Sequence, residues 1–130
     1  ARFPYAHARE FAAIMQRLLG PNVTPCLIHC TSGKDRTGLI SAFILLSVGV
    51  PLDTVVADYE LSQGARQPVD LFDLRARHDT METIMSAKAD YILSAIDSIN
   101  TTSGSIEKYL EQSLGIDVEK QGILKELLLL

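Results

Sequence analysis

The chain has 130 residues, 47% hydrophobic and 22% charged, the profile of an ordinary globular protein with room for one modest core. A net charge of −4 argues against general nucleic-acid binding. The longest nearly uninterrupted apolar stretch, 39–50, is too short to span a bilayer, and no basic-apolar-small leader is visible at the start.

Residues 1–20 read mostly as a helix, because Phe11, Ile14, Met15, Leu18 and Leu19 recur at three- and four-residue steps. Gly20-Pro21-Asn22 stops it. Phe3, Tyr5 and His7 read as packing residues rather than substrate contacts. The apolar run Pro25-Cys26-Leu27-Ile28 has the length of a buried strand, about 24–29. A second apolar run, 39–46, covers nearly all helical faces and predicts a central buried helix over about 37–48, with Gly49 as its C-cap. Pro51 opens the next helix, to about 62, burying Val55, Val56, Tyr59 and Leu61, with Tyr59 read as packing.

Residues 63–78 lack a pattern, with Gly64, Pro68, Asp70 and Asp73 as breakers. Arg66, Arg75, Arg77 and His78 make the stretch locally basic, read as a solvated loop ahead of a surface for an anionic substrate. Asp79, with Glu82 in capping-box spacing, opens a long helix striped by Met81, Ile84, Met85, Ile92, Ala95, Ile96 and Ile99. A polar break at 100–104 precedes a short helix over 105–114, closed by Gly115. Asp117 caps a last helix carrying Ile123, Leu124, Leu127 and Leu128.

Cys26 and Cys30 are the only cysteines. On a strand their Cα atoms would stand about 13 Å apart, against the roughly 7 Å a disulfide tolerates. Cys26 is therefore expected as a small core residue. Two cysteines and three scattered histidines give no metal-ligand spacing, so neither metal nor cofactor is expected. The cysteine usage fits a reducing compartment, and a cytoplasmic location is expected on that ground.

Between strand and central helix lies His29-Cys30-Thr31-Ser32-Gly33-Lys34-Asp35-Arg36-Thr37-Gly38. A strand-to-helix loop presents unpaired N–H groups and the positive end of a helix dipole, so it is built to hold an anion. Cys30 in that setting, beside Arg36, favours the thiolate, which is the nucleophilic form. Arg36 offers a planar fork matching two phosphate oxygens. The backbone N–H groups of Thr31, Ser32, Gly33, Lys34, Asp35 and Arg36 form a nest for the others. Gly33 permits the tight curve, His29 can orient the loop, and the Thr37 hydroxyl can donate to the departing thiolate. A Walker A reading fails, because it needs Gly at 28 and Ser or Thr at 35, where the chain has Ile28 and Asp35.

His-Cys, five residues, then Arg-Thr resembles the signature of the cysteine-dependent tyrosine phosphatase superfamily. In a chain this short, a chance match is on the order of one in ten thousand or rarer. The fuller form HCxxGKDRTG is similar to the branch holding bacterial and fungal tyrosine phosphatases with a lipid-phosphatase-like loop. Ala57-Asp58-Tyr59-Glu60-Leu61-Ser62 and Gly104-Ser105-Ile106-Glu107-Lys108-Tyr109-Leu110 resemble the same branch. The resemblance implies one α/β phosphatase-like domain over 1–130, mostly helical with five to six helices around the loop-bearing strand 24–29. It also implies further strands N-terminal to that strand, supplied by an upstream segment or a second chain.

Cys30, Arg36 and Asp35 are the expected catalytic residues. Residues 1–29 contain no Asp, and Glu10 lies inside the first helix. The proton for the leaving oxygen therefore comes either from upstream of the chain or from Asp35, which relatives without a separate acid also carry. The helix N-terminus and Arg36 favour the Asp35 carboxylate, whereas bound phosphate and the thiolate favour its protonated form. Lys34 resembles a residue of relatives that act on phosphoinositides. The expected substrates are phosphotyrosine in protein, a phosphoinositide, or both. Two alternatives are a catalytically silent phosphate- or phosphoprotein-binding module, and an all-helical interaction domain, which requires that 24–29 not be a strand.

Overall fold

A computed structural model describes residues 2–31, 33, 35–64 and 88–129. The described residues form seven helices: α1 (Phe3–Ala6), α2 (Ala8–Leu18), α3 (Asp35–Ser47), α4 (Leu52–Gly64), α5 (Lys88–Ser103), α6 (Ile106–Gln112) and α7 (Val118–Leu128). The single helix expected over 1–20 divides at His7, whose backbone leaves helical values (φ −115°, ψ 14°).

The core follows the helical spacing. Phe11, Met15 and Leu18 are buried along one face of α2, and Leu39, Ile40, Ala42 and Phe43 in α3. Ile92, Ala95, Ile96 and Ile99 continue it in α5. Helix α4 packs on both α3 and α5, and α6 packs on α3 and α5. Tyr109 of α6 is fully buried. Its hydroxyl donates to the Pro4 carbonyl at 2.6 Å, and its ring meets Tyr5 edge-on and Phe43 at a tilt, with centroids 5.3 Å apart in each case. The Tyr5 and Ser103 hydroxyls share a 2.7 Å bond, and Phe3 packs edge-on against Tyr91. Phe3 and Tyr5 thus fasten α1 to α5 and α6, as packing residues.

Two caps hold as expected: the Ser105 hydroxyl accepts from the Lys108 amide at 3.2 Å, and the Asp117 carboxylate from the Lys120 amide at 2.9 Å.

Several expectations are corrected. Among the described residues there is no strand, and 24–29 has no regular secondary structure. A strand exists through ladder bonds to a neighbour, and no described segment pairs with this one. Cys26 is consequently exposed rather than core, and Leu27 is 87% exposed. The break expected at 100–104 begins only after Ser103, because the Gly104 amide still donates to the Asn100 carbonyl at 3.0 Å. Leu61 is 75% exposed. In α7 only Leu124 is buried, with Ile123 and Leu127 largely exposed. The expected loop over 63–78 lies, beyond Gly64, outside the described residues, as does the Asp79–Glu82 capping box with Met81, Ile84 and Met85.

Candidate active site

Helix α3 begins at Asp35, so the first-turn amides, which have no partner within a helix, face the end of the Cys30 loop. Cys30 is half-buried. The loop bends at Gly33, whose φ of +63° lies in the left-handed region that side chains disfavour. Arg36 reaches back across the loop: its Nη2 donates to the Thr31 hydroxyl oxygen at 3.2 Å. This bond ties Arg36 to the residue directly after Cys30. His29, Thr31, Asp35 and Arg36 are exposed. Ser32 and Lys34 lie outside the described residues. The Thr37 hydroxyl is buried, with no hydrogen-bond partner among the described residues, and it is available to a group entering the loop.

A pocket of about 140 Å³ opens beside this loop, lined by Gly33, Thr37, Gly38, Ser41, Asp58 and Tyr59 among others. A larger cavity of about 450 Å³, between the α3–α4 turn and α5–α7, contains no loop residue. The smaller one adjoins the Cys30–Arg36 loop. Among the described residues, no group of three or more His, Cys, Asp or Glu could hold a metal ion. No helix among them is long and apolar enough to cross a membrane.

Tyr59 is buried as the sequence reading expected, but its place beneath the loop helix and its partner Tyr91 were not foreseen. Tyr59, 3% exposed, packs against the first turns of α3, where a Cβ on Gly38 would run into its ring. Tyr91 of α5 stacks on Tyr59, with centroids 6.5 Å apart and planes 18° from parallel. Burial, and then the charge of Asp35, push the Tyr59 phenol up to about 12. Burial, Asp35 and Tyr59, in that order, raise the Tyr91 phenol further. Both hydroxyls therefore stay protonated and lie within electrostatic reach of Asp35. Tyr91 sits next to Ile92 at the edge of the α5 stripe. Its only sequence signal is an amphipathic side chain at a core boundary.

Gly38→Ala tests this packing. In an open helix the change would stabilise by about 0.5–1 kcal/mol. Here the added methyl overlaps a buried ring, and overpacking costs about 1–3 kcal/mol. The clash wins, and we expect a net loss of about 1 kcal/mol, read in thermal unfolding as a midpoint lower by roughly 3–5 °C. An unchanged or raised midpoint would show that Tyr59 yields without cost.

Comparison with known proteins agrees with this geometry. The profile of the tyrosine phosphatase family matches residues 1–130. A relative from Cupriavidus necator, provisionally named a tyrosine-protein phosphatase, is 29% identical over 122 residues, covering 89% of this chain and 44% of its own length. The triple specificity protein phosphatase PtpB of Mycobacterium tuberculosis is 31% identical over 111 residues, covering 68% of this chain and 38% of that protein. A tyrosine-protein phosphatase of Nostoc commune is 39% identical over 71 residues, 53% of this chain and 24% of that one. The chain spans less than half the length of each of these curated relatives. With a Cys-to-Arg loop closed on a helix N-terminus, and a family match along its whole length, the chain belongs to the tyrosine phosphatase family.

Proposed function

We propose that the chain carries the phosphate-handling half of a phosphate-monoester hydrolase working through a cysteinyl-phosphate intermediate. The observation that carries this reading is the closed loop: Arg36 bonded back to Thr31 at 3.2 Å, directly ahead of the α3 N-terminus. In this reading the Cys30 thiolate attacks phosphorus in line, forming an S–P bond as the ester P–O bond breaks. Asp35 gives its proton to the leaving oxygen. Water then attacks phosphorus, Asp35 takes the proton of that water, and the S–P bond breaks to release phosphate and the thiolate. The Thr37 hydroxyl donates to the departing sulfur. Arg36 and the loop amides hold the charge that builds on the equatorial oxygens, the largest expected source of rate. His29 orients the loop. No metal or organic cofactor enters these steps.

The substrates in this reading are phosphotyrosine in protein, a phosphoinositide, or both, at a cytoplasmic site. The triple-specificity name of the mycobacterial relative is in keeping with more than one class of ester. The sheet that the family resemblance implies is completed by residues N-terminal to Ala1 or by a second chain, which would pair with 24–29. A silent phosphate-binding module is the second reading. The intact set of Cys30, Asp35, Arg36 and Thr37 disfavours it. The condition for an all-helical interaction domain, no strand at 24–29, is met among the described residues, but the family match over the whole chain outweighs it.

The test is phosphate release from an aryl phosphate, a phosphotyrosine peptide and a monophosphorylated phosphoinositide. Release supports the hydrolase, and tight phosphate binding without release supports the module. Lys34→Ala refines the substrate. It should lower kcat/KM for a polyphosphorylated phosphoinositide about tenfold more than for the peptide, since each additional phosphate near a cation adds about 1 kcal/mol or more at moderate screening. Equal losses on both would remove Lys34 from substrate selection.

A further inference from the structure

The hydroxyl of Tyr91 is buried and has no hydrogen-bond partner among the described residues, an unfavourable state for a donor. Its ring is fixed on two sides, stacked on Tyr59 and met edge-on by Phe3 at 5.7 Å. Tyr59 is in turn fixed against Gly38, in the first turn of α3. Three elements, α1, α4 and α5, thus hold an unused donor under the start of the loop helix. Asp35 is the first residue of that helix, three positions before Gly38 and so on the helix face that Tyr59 covers. A purely apolar support would need no oxygen there, and Phe would stack equally well.

We infer that Tyr91 is a positioning residue for Asp35: its hydroxyl donates to the Asp35 carboxyl when a phosphate ester fills the loop, and so fixes the orientation from which the proton is delivered. This rests on the reading of Asp35 as the acid. The Tyr91 O–H goes to the carboxyl oxygen that does not carry the mobile proton. As that proton passes to the leaving oxygen, Asp35 becomes a carboxylate and the Tyr91 bond strengthens. The contact is therefore worth more in the transition state than before it, the condition for raising kcat rather than lowering KM. No proton leaves Tyr91 at any step.

The test is Tyr91→Phe on two substrates that differ only in their need for an acid. Phenyl phosphate has a basic leaving oxygen and needs the proton, whereas 4-nitrophenyl phosphate departs largely without it. Tyr91→Phe should lower kcat/KM, which reports only the steps up to the cysteinyl-phosphate, about tenfold on phenyl phosphate and leave it within about twofold on 4-nitrophenyl phosphate. The retained 4-nitrophenyl turnover also reports an intact fold. Asp35→Asn should show the same selectivity, more strongly, and Tyr91→Phe should add nothing in that background. Equal loss on both substrates, no loss on either, or a further loss on top of Asp35→Asn would overturn the positioning role while the acid reading stands. If Asp35→Asn itself shows no selectivity, the acid reading fails and the role of Tyr91 falls with it.

Discussion

Cys30→Ser should abolish phosphate release from every substrate, by at least about a thousandfold, while the chain stays folded. In the proposed mechanism the loop holds an anion, and a thiol ionises far more readily than an alcohol. Serine replaces one atom at a half-buried position, so its structural cost should stay under about 1 kcal/mol. The variant should therefore keep its unfolding midpoint and still bind inorganic phosphate through Arg36 and the loop amides. Release assays paired with thermal unfolding check both halves. Turnover within tenfold of the unaltered chain, from a folded variant, would remove Cys30 from the chemistry. This pair also separates the two functional readings, because a binding module has no turnover to lose.

Arg36→Lys should lower kcat about a hundred- to a thousandfold, with a smaller change in KM. The charge is kept, so a purely electrostatic role would predict little effect. Arg36 is exposed, and an exposed ion pair in the ground state is worth little. The expected loss comes from geometry. Arginine can donate to Thr31 with Nη2 while presenting its remaining N–H groups to two equatorial oxygens of the transition state. Lysine has one ammonium and cannot close the loop and clamp the phosphoryl group together. Steady-state kinetics with an aryl phosphate read the split. A loss confined to KM would mean that Arg36 binds the ground state only.

The loop was the most legible part of the sequence, since its chemistry depends on residue identity at fixed spacing. Cys30, Gly33 and Arg36 are local to one another, and the positive φ of Gly33 and the Thr31–Arg36 bond follow from short-range geometry. The helices were legible where apolar residues repeat, as at Phe11, Met15 and Leu18, and the caps at Ser105 and Asp117 because they act within three residues. The strand read at 24–29 is not found among the described residues, because a strand depends on a distant partner and not on its own apolar run. The exposure of Cys26 and Leu27 is the direct consequence. The Tyr59–Tyr91 support escaped for the same reason: two residues 32 positions apart on different helices meet only once α4 packs on α5. In hindsight Gly38 was the clue, a glycine inside a helix that tolerates alanine unless another side chain occupies the space.

In the proposed mechanism Cys30 carries the phosphoryl group during turnover. The direct measurement is mass spectrometry of the chain, acid-quenched during steady-state hydrolysis of an aryl phosphate and digested to peptides. One phosphoryl group is expected on the peptide bearing Cys30, absent in Cys30→Ser, and more abundant in Asp35→Asn with a good leaving group, where water attack lacks its base. Turnover with no phosphopeptide at any quench time, or with phosphate on a residue other than Cys30, would contradict it.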